Sequence, residues 1–162
     1  DVRNRVAKMK LIPVPELING KRLLFVDDSI VRGTTMKEIV RMARESGAKK
    51  VYVASSAPRV MFPNVYGIDM PTKSELICGD GKDADAVAEV IGADKVIFQT
   101  LDGLKNALSD LNPSIPAFDC SCFDGVYVTG DVTSEYLDRL SQAQAAPQPK
   151  AQDDEEGEGA NE

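Results

Sequence analysis

The 162-residue chain carries a formal charge of −7 and is 43% hydrophobic. That length and apolar content suffice for one compact domain with a buried core, which excludes wholesale disorder. The charge is uneven, because residues 142–162 hold six acids and one base and leave about −2 for residues 1–141. No basic stripe or nucleic-acid-binding motif is present, so nucleic acid is not an expected partner.

The composition changes near residue 141. Residues 142–162 lack aromatic and β-branched residues and are rich in Ala, Gln, Pro, Glu and Gly. Such a segment buries too little apolar area to offset the entropy lost on ordering it. We therefore predict a folded body over residues 1–141 and a disordered acidic tail over residues 142–162.

Three cysteines, Cys78, Cys120 and Cys122, lack the spacing of a disulfide framework. The sequence contains no signal peptide and no run of about 18 apolar residues. These features predict a cytoplasmic protein with reduced thiols and no membrane partner. The chain opens on Asp1 in a helix-like stretch without a methionine, so we interpret it as a fragment. An organelle is the alternative location if a transit peptide lies in the missing N-terminus.

Short apolar runs alternate with amphipathic stretches, which predicts βα units, a parallel sheet and an α/β fold. The unbroken apolar run at 22–26 suits a strand that is central in its sheet and covered on both faces. A helix is predicted at 35–46, ended by Gly47, and a strand at 51–55 completes a βαβ unit. Further along we predict a short strand at 64–68, a helix at 84–91, a strand at 96–98, and helices at 101–111 and 133–140.

The most informative stretch is FVDDSIVRGTT, residues 25–35, in which an apolar strand leads through two acids and a glycine into a helix. A helix N-terminus after a Gly-containing loop offers unpaired N–H groups to an anion such as a phosphate monoester. Asp27 and Asp28 are placed to accept hydrogen bonds from ribose hydroxyls or to bind Mg²⁺. Phosphate and vicinal hydroxyls together indicate a ribose 5-phosphate.

Two other interpretations of these residues exist. An acid pair after a strand also serves to cap a helix or to end a sheet. A strand that ends in acids occurs as well in nucleotide triphosphatases, but the chain has no G-x-x-x-x-G-K-[ST] loop.

The stretch LLFVDDSIVRGTT resembles the phosphoribosyl pyrophosphate (PRPP) binding motif of type I phosphoribosyltransferases. Together with ESGAKKVYVASSAP, FPNVYGIDMPTKSELI and CFDGVYVTGD, in that order, it resembles the amidophosphoribosyltransferase family over residues 3–140. The resemblance implies a type I phosphoribosyltransferase-like fold, incomplete at its N-terminus. Residues 1–141 would then be the C-terminal part of that domain.

The resemblance implies an enzyme that forms 5-phosphoribosylamine from PRPP and glutamine-derived ammonia, releases pyrophosphate and requires Mg²⁺. This reaction is the first committed step of de novo purine biosynthesis. Asp27 and Asp28 would contact the ribose hydroxyls and the metal. The 5-phosphate loop would be Ser29, Ile30, Val31, Arg32, Gly33, Thr34 and Thr35. No catalytic side chain is implied here, and purine nucleotides would compete for the same loop.

The resemblance also implies features that this chain does not carry. The glutaminase domain of the same polypeptide, with its N-terminal cysteine, would lie upstream, so this chain alone is expected to be inactive. The complete protein is expected to form a homo-oligomer. Cys122 matches one ligand of the iron–sulfur cluster that some members hold, whereas Asp119 and Asn64 stand at other ligand positions, which argues against a cluster.

A noncatalytic regulatory module that senses PRPP or nucleotides through the same fold is the alternative function. Such a regulator is expected to carry a nucleic-acid-binding feature, and residues 1–141 show none. The ordered series of motifs favours the enzyme.

Overall fold

The computed structural model describes residues 12–68, 70 and 72–145. The helix-like start at 1–10, Asp69 and residues 146–162 of the predicted tail lie outside this part. Among these residues no helix combines the length and the apolar character needed to span a membrane.

In chain order the elements are α1 (Pro15–Ile18), β1 (Arg22–Asp27), α2 (Thr34–Glu45), β2 (Lys50–Ser55), a 3-10 helix (Lys73–Glu75), α3 (Ala84–Ile91), β3 (Lys95–Phe98), α4 (Leu101–Leu111), α5 (Ser121–Asp124) and α6 (Ser134–Ala145).

The three strands form one parallel sheet in the order β1, β2, β3, which confirms the predicted α/β class and βαβ unit. Asp27 pairs with Ser55, and Ser55 pairs with Phe98. The carboxyl ends of the three strands are therefore aligned at one edge of the sheet. Ligands of open α/β sheets bind at this edge.

The core lies between the sheet and helices α2 and α3. Val51 and Val53 on the central strand β2 are 0% exposed, and Val96 on β3 is 1% exposed. The helical residues that close the core recur at helical spacing: Met36, Val40 and Ala43 on α2, and Val87, Ala88 and Ile91 on α3. Each fully buried aliphatic side chain contributes about 1.5–3 kcal/mol to the stability of this layer.

The position of β1 differs from the prediction, because in the described part of the chain it is an edge strand and β2 is central. Phe25 packs against the core, whereas Leu24 is 58% and Val26 71% exposed. Val26, Ala54 and Ile97 are register partners on this open face of the sheet. The apolar run at 22–26 indicates two covered faces, but α2 and α3 cover only one of them.

The predicted short strand at 64–68 is wrong, since this segment is an irregular loop. The side-chain oxygen of Asn64 accepts hydrogen bonds from the N–H groups of Tyr66 at 2.8 Å and Ile68 at 3.1 Å. A side chain that binds these donors folds the backbone into a turn and withdraws them from any β-ladder.

The other predicted elements agree with the structure to within about one residue, except for the last helix. Gly47 follows the end of α2 with a φ of 87°. Helix α6 begins after Thr133, whose hydroxyl accepts from the N–H of Tyr136 at 3.2 Å. It continues to Ala145, past the predicted end at 140 and into the predicted tail. Residues 141–146 contain no glycine or proline, so nothing in the local sequence ends helix α6 at residue 140.

The amino ends of β2 and β3 are joined by Asp94, whose side chain is 16% exposed. Its carboxylate accepts from Lys50 Nζ at 2.7 Å, from Arg44 Nη2 at 2.7 Å and from the N–H of Val51 at 2.8 Å. These donors, Lys50 first, lower the pKa of Asp94 from 3.8 to about 2. One carboxylate thereby connects α2, β2 and the start of β3.

We expect Asp94→Asn to lower the free energy of unfolding by about 1–2 kcal/mol near neutral pH, because a neutral amide bonds Lys50 and Arg44 more weakly. A carboxylate whose pKa is depressed in the folded state stabilises above its unfolded pKa, and this stabilisation is lost as the pH falls through the folded pKa. The stability gap between wild type and variant should therefore shrink between pH 3.8 and about 2.

Urea unfolding followed by circular dichroism at several pH values measures that gap. Asp110→Asn, on the exposed surface of α4, is the matched control for the loss of one carboxylate and should leave the stability nearly unchanged. A gap for Asp94→Asn that stays constant down to about pH 2 would contradict the role assigned to this carboxylate.

Candidate functional site

Strand β1 ends in two adjacent acids at the carboxyl edge of the sheet. Asp27 is half-buried and Asp28 is exposed. The N–H of Asp28 donates to Oδ1 of Asp27 at 3.0 Å, and the hydroxyl of Ser29 donates to Oδ1 of Asp28 at 2.8 Å. These contacts leave Oδ2 of each carboxylate without a partner in the described part of the chain. Both oxygens are therefore available to hydroxyl donors or to a cation.

The backbone of the acid pair is held by the loop that follows β2. The carbonyl of Asp27 accepts from the N–H of Ser56 at 3.0 Å, and that of Asp28 accepts from the N–H of Ala57 at 2.9 Å. The hydroxyl of Ser56 adds a longer bond of 3.3 Å to the carbonyl of Asp28. The pairing of β1 with its neighbour thus continues past the end of the strand and fixes where the two carboxylates lie.

The loop between Asp28 and α2 is closed at both of its ends. Ile30 is 2% exposed and belongs to the core. At the other end Gly33 has a φ of 73°, in the left-handed region that favours glycine. A Cβ added to Gly33 would lie 2.4 Å from Cδ1 of Ile77. The backbone conformation favours glycine at this position, and any larger residue would have to displace the end of the Ile77 side chain.

Helix α2 begins directly after Gly33, and no side chain caps it. The N–H groups of the first turn, those of Thr34, Thr35 and Met36, have no acceptor within the helix. Unpaired N–H groups and the helix dipole together attract an anion. The hydroxyls of the exposed Thr34 and Thr35 add donors at the same end.

A cleft of about 270 Å³ lies over this loop. It is lined by Asp27, Ser29, Ile30, Val31, Arg32, Gly33, Thr34, Thr35 and Met36. The structure therefore brings every predicted site residue together except Asp28, which stands at the end of β1 next to the cleft with its side chain exposed. The side chain of Ile30 is buried in the core, so this residue presents only its backbone.

A second segment, residues 72–77, supports the loop from the side. The N–H of Ile77 donates to the carbonyl of Val31 at 2.8 Å, and Nε of Arg32 lies 3.4 Å from Oε1 of Glu75. The N–H of Thr72 donates to Glu75 and is the main cause of the lowered pKa of this carboxyl. In the sequence this segment belongs to the FPNVYGIDMPTKSELI motif, but none of its residues was predicted to contribute to the site. The capping-box spacing Thr72-x-x-Glu75 was the sign that a helical turn begins here.

No group of three or more His, Cys, Asp or Glu residues in the described part of the chain is arranged to hold a metal ion. Asp27 and Asp28 provide two carboxylates. Mg²⁺ commonly takes one or two carboxylates and fills its other positions with water and with phosphate oxygens of a substrate. The acid pair therefore fits a cation that binds together with an oxygen-rich ligand.

The three positions compared with cluster ligands lie close together. Nδ2 of Asn64 is 3.8 Å from Sγ of Cys122, and Asp119 accepts from the N–H of Ser121 at 2.9 Å. Burial raises the pKa of the Cys122 thiol, and the cysteine is free. A carboxamide and a carboxylate thus occupy the surroundings of Cys122, where an iron–sulfur cluster is ordinarily held by several thiolates.

No protein-family model matches the chain. Curated amidophosphoribosyltransferases do match it. The protein of Pasteurella multocida strain Pm70 is 57% identical over 135 residues, which are 83% of this chain and 27% of the relative. The Escherichia coli K12 protein is 52% identical over 139 residues, 86% of this chain and 27% of the relative. The Schizosaccharomyces pombe protein is 47% identical over 145 residues, 90% of this chain and 26% of the relative.

A solved structure agrees with these relatives. Glutamine PRPP amidotransferase from Bacillus subtilis, complexed with ADP and GMP, superposes with a TM-score of 0.61 at 36% sequence identity. The superposition covers 76% of this chain and 28% of that protein. The chain thus spans about a quarter of the length of the relatives it matches. Over this span the chain belongs to the amidophosphoribosyltransferase family.

Proposed function

We propose that this chain supplies the PRPP-binding segment of an amidophosphoribosyltransferase. The complete enzyme would form 5-phosphoribosylamine from PRPP and ammonia taken from glutamine, with release of pyrophosphate, as the first committed step of de novo purine biosynthesis. One observation carries the proposal: a cleft runs from Asp27, the first acid of the pair that follows β1, to the uncapped N-terminus of α2.

The 5-phosphate of PRPP is assigned to the loop and the first turn of α2. The N–H groups and the hydroxyls of Thr34 and Thr35 are donors at residues that line the cleft. Charge-assisted hydrogen bonds of this kind contribute about 1.5–3 kcal/mol each, and the helix dipole adds about 0.3–1 kcal/mol. A phosphate dianion can therefore be held here mainly by backbone and hydroxyl donors.

The ribose and the metal are assigned to the acid pair. The free Oδ2 atoms of Asp27 and Asp28 would accept hydrogen bonds from the ribose hydroxyls or bind Mg²⁺. Bound Mg²⁺ supplies positive charge to the leaving pyrophosphate. Because the ladder to Ser56 and Ala57 fixes their backbone, the two acids stay at a constant distance from the phosphate loop.

In this reaction these residues would position the reactants and balance their charge. Ammonia is itself the nucleophile that attacks C1 of the ribose, and the transition state carries positive charge on the ring. No side chain of this segment has to form a covalent bond to the substrate. Such a site lowers the activation barrier mainly by holding the reactants in a fixed orientation and by stabilising the charge of the transition state.

Purine nucleotides are proposed as competing ligands of the same cleft. The Bacillus subtilis amidotransferase is complexed with ADP and GMP. These nucleotides share a phosphorylated ribose with PRPP, so the same N–H groups and acid pair would bind them. Competition for one phosphate loop would then allow end products to inhibit the enzyme.

The glutaminase domain and the rest of the transferase domain are assigned to polypeptide outside the matched segment. The open face of the sheet is where we propose that this polypeptide packs, because parallel sheets are normally covered on both faces. Leu24 and Ile97 are 58% and 49% exposed on that face. A homo-oligomer of the complete protein in the cytoplasm belongs to the same proposal.

The regulatory alternative is not favoured. Curated relatives between 42% and 57% identical carry the name of the enzyme. The regulator would need an additional nucleic-acid-binding feature, for which residues 1–141 contain no motif.

We expect the double variant Asp27→Asn/Asp28→Asn to bind PRPP at least about tenfold more weakly than wild type in the presence of Mg²⁺, because two anionic acceptors are lost. Isothermal titration of the chain with PRPP, with and without Mg²⁺, measures this. Asp110→Asn/Asp138→Asn removes the same charge from exposed positions on α4 and α6 and should bind like wild type.

Two results would contradict the assignment. One is PRPP binding that is equally strong in wild type and in the Asp27→Asn/Asp28→Asn variant. The other is the absence of saturable PRPP binding to the complete protein that contains this chain and that circular dichroism shows to be folded.

We expect Gly33→Ala to weaken PRPP binding about tenfold, because its Cβ disfavours the left-handed backbone of the loop and displaces the end of the Ile77 side chain. Gly130→Ala is the matched control, since Gly130 has nearly the same φ, 72° against 73°, and no atom within 4 Å of an added Cβ. Both variants should lose about 1–2 kcal/mol of stability from the left-handed backbone. Titration and thermal unfolding of both variants separate the two effects, and equal PRPP binding by both would refute the assignment of the loop.

A further inference from the structure

Glu75 contacts the proposed phosphate loop from outside the cleft. Its Oε1 lies 3.4 Å from Nε of Arg32, a residue that lines the cleft. Its Oε2 accepts from both the N–H and the hydroxyl of Thr72 at 3.1 Å. One carboxylate therefore links the arginine of the loop to the N-cap of the 3-10 helix Lys73–Glu75.

Both partners of this ion pair stand on backbone that is fixed by buried neighbours. Arg32 follows Val31, whose carbonyl accepts from the N–H of Ile77 at 2.8 Å. Glu75 precedes Leu76 and Ile77, which are 4% and 7% exposed. The two side chains themselves remain partly exposed, at 43% for Arg32 and 50% for Glu75. The pair is thus a solvent-accessible contact between the phosphate loop and the segment 72–77, and its contribution to the free energy of unfolding is small.

The ion pair with Glu75 lies on the Nε side of the guanidinium. Nε of Arg32 faces the carboxylate, and the two Nη groups have no partner among residues 12–68, 70 and 72–145. An arginine presents its donors in a rigid planar fork, so holding Nε also fixes the direction of the Nη groups. Two parallel N–H donors match the oxygens of a phosphate.

We propose that Glu75 is a positioning residue for anion binding, acting through Arg32. By holding Nε it orients the guanidinium so that the Nη groups are presented to a phosphate in the cleft. This inference rests on the proposed function and deepens it, since the anion is a phosphoryl group of PRPP or of a nucleotide. Thr72 contributes to the same arrangement, because its N–H and hydroxyl donate to Oε2, the other oxygen of Glu75.

Simple electrostatics makes the opposite prediction. A carboxylate near an anion site repels the ligand, so removal of its charge would strengthen phosphate binding if Glu75 were only a nearby charge. A positioning role predicts weaker binding on the same substitution. The sign of the change therefore separates the two explanations.

The test is Glu75→Gln, titrated with PRPP and Mg²⁺ by calorimetry. Glutamine can still accept from Thr72 in the capping box, so the 3-10 helix is retained, but the ion pair to Arg32 is lost. We expect the dissociation constant to rise about three- to tenfold, with little change in the unfolding temperature. Asp80→Asn is the matched control, because Asp80 is an exposed carboxylate paired with Lys82 in the same region. It should bind PRPP as wild type does.

A double-mutant cycle shows whether Glu75 acts through Arg32. Arg32→Lys should weaken PRPP binding, and Glu75→Gln should add almost nothing in the Arg32→Lys background. Unchanged or tighter PRPP binding by Glu75→Gln, or effects of the two substitutions that simply add, would overturn the inference alone. Failure of wild type to bind PRPP, or retention of binding by Asp27→Asn/Asp28→Asn, would overturn the proposed function and this inference with it.

Discussion

The turn from β1 into α2 closes through Gly33 in a left-handed conformation, with Ile77 packed where a side chain would begin. At the other end of the turn, Ile30 is buried in the core. The turn leads directly into α2 without a side chain that caps the helix. The first N–H groups of α2 consequently stay open to the cleft, where a capping side chain would otherwise bind them.

Stabilising contacts and the proposed ligand-binding groups lie at opposite edges of the sheet. At the amino edge, the carboxylate of Asp94 is saturated by Lys50, Arg44 and a backbone N–H, and its pKa falls to about 2. At the carboxyl edge, Asp27 and Asp28 each keep one oxygen without a partner in the described part of the chain. Acids of the same type thus serve stability where they are paired and remain available for binding where they are not.

The part of this arrangement that is contiguous in sequence was predictable. The acids, glycine and hydroxyls of residues 27–35 follow one another along the chain, and Gly47 marks the end of α2. The elements that escaped prediction, α1, α5 and the 3-10 helix, are too short to show a period. The link from Glu75 to Arg32 joins segments that are distant in sequence, so local pattern could not reveal it. Within the described part of the chain β1 is an edge strand, although a central one was predicted, because an apolar run indicates burial without showing which part of the protein provides it.

The central claim is that the N-terminus of α2 and the loop before it hold the phosphate of a phosphorylated ribose. Titration of ¹⁵N-labelled chain with ribose 5-phosphate, followed by amide chemical shifts, tests this residue by residue. The account predicts that the largest, saturable shifts occur at the amides of Ser29, Arg32, Gly33, Thr34 and Thr35. Shifts that are confined to other regions, such as the loops after β2 and β3, or no saturable shifts at all, would contradict it.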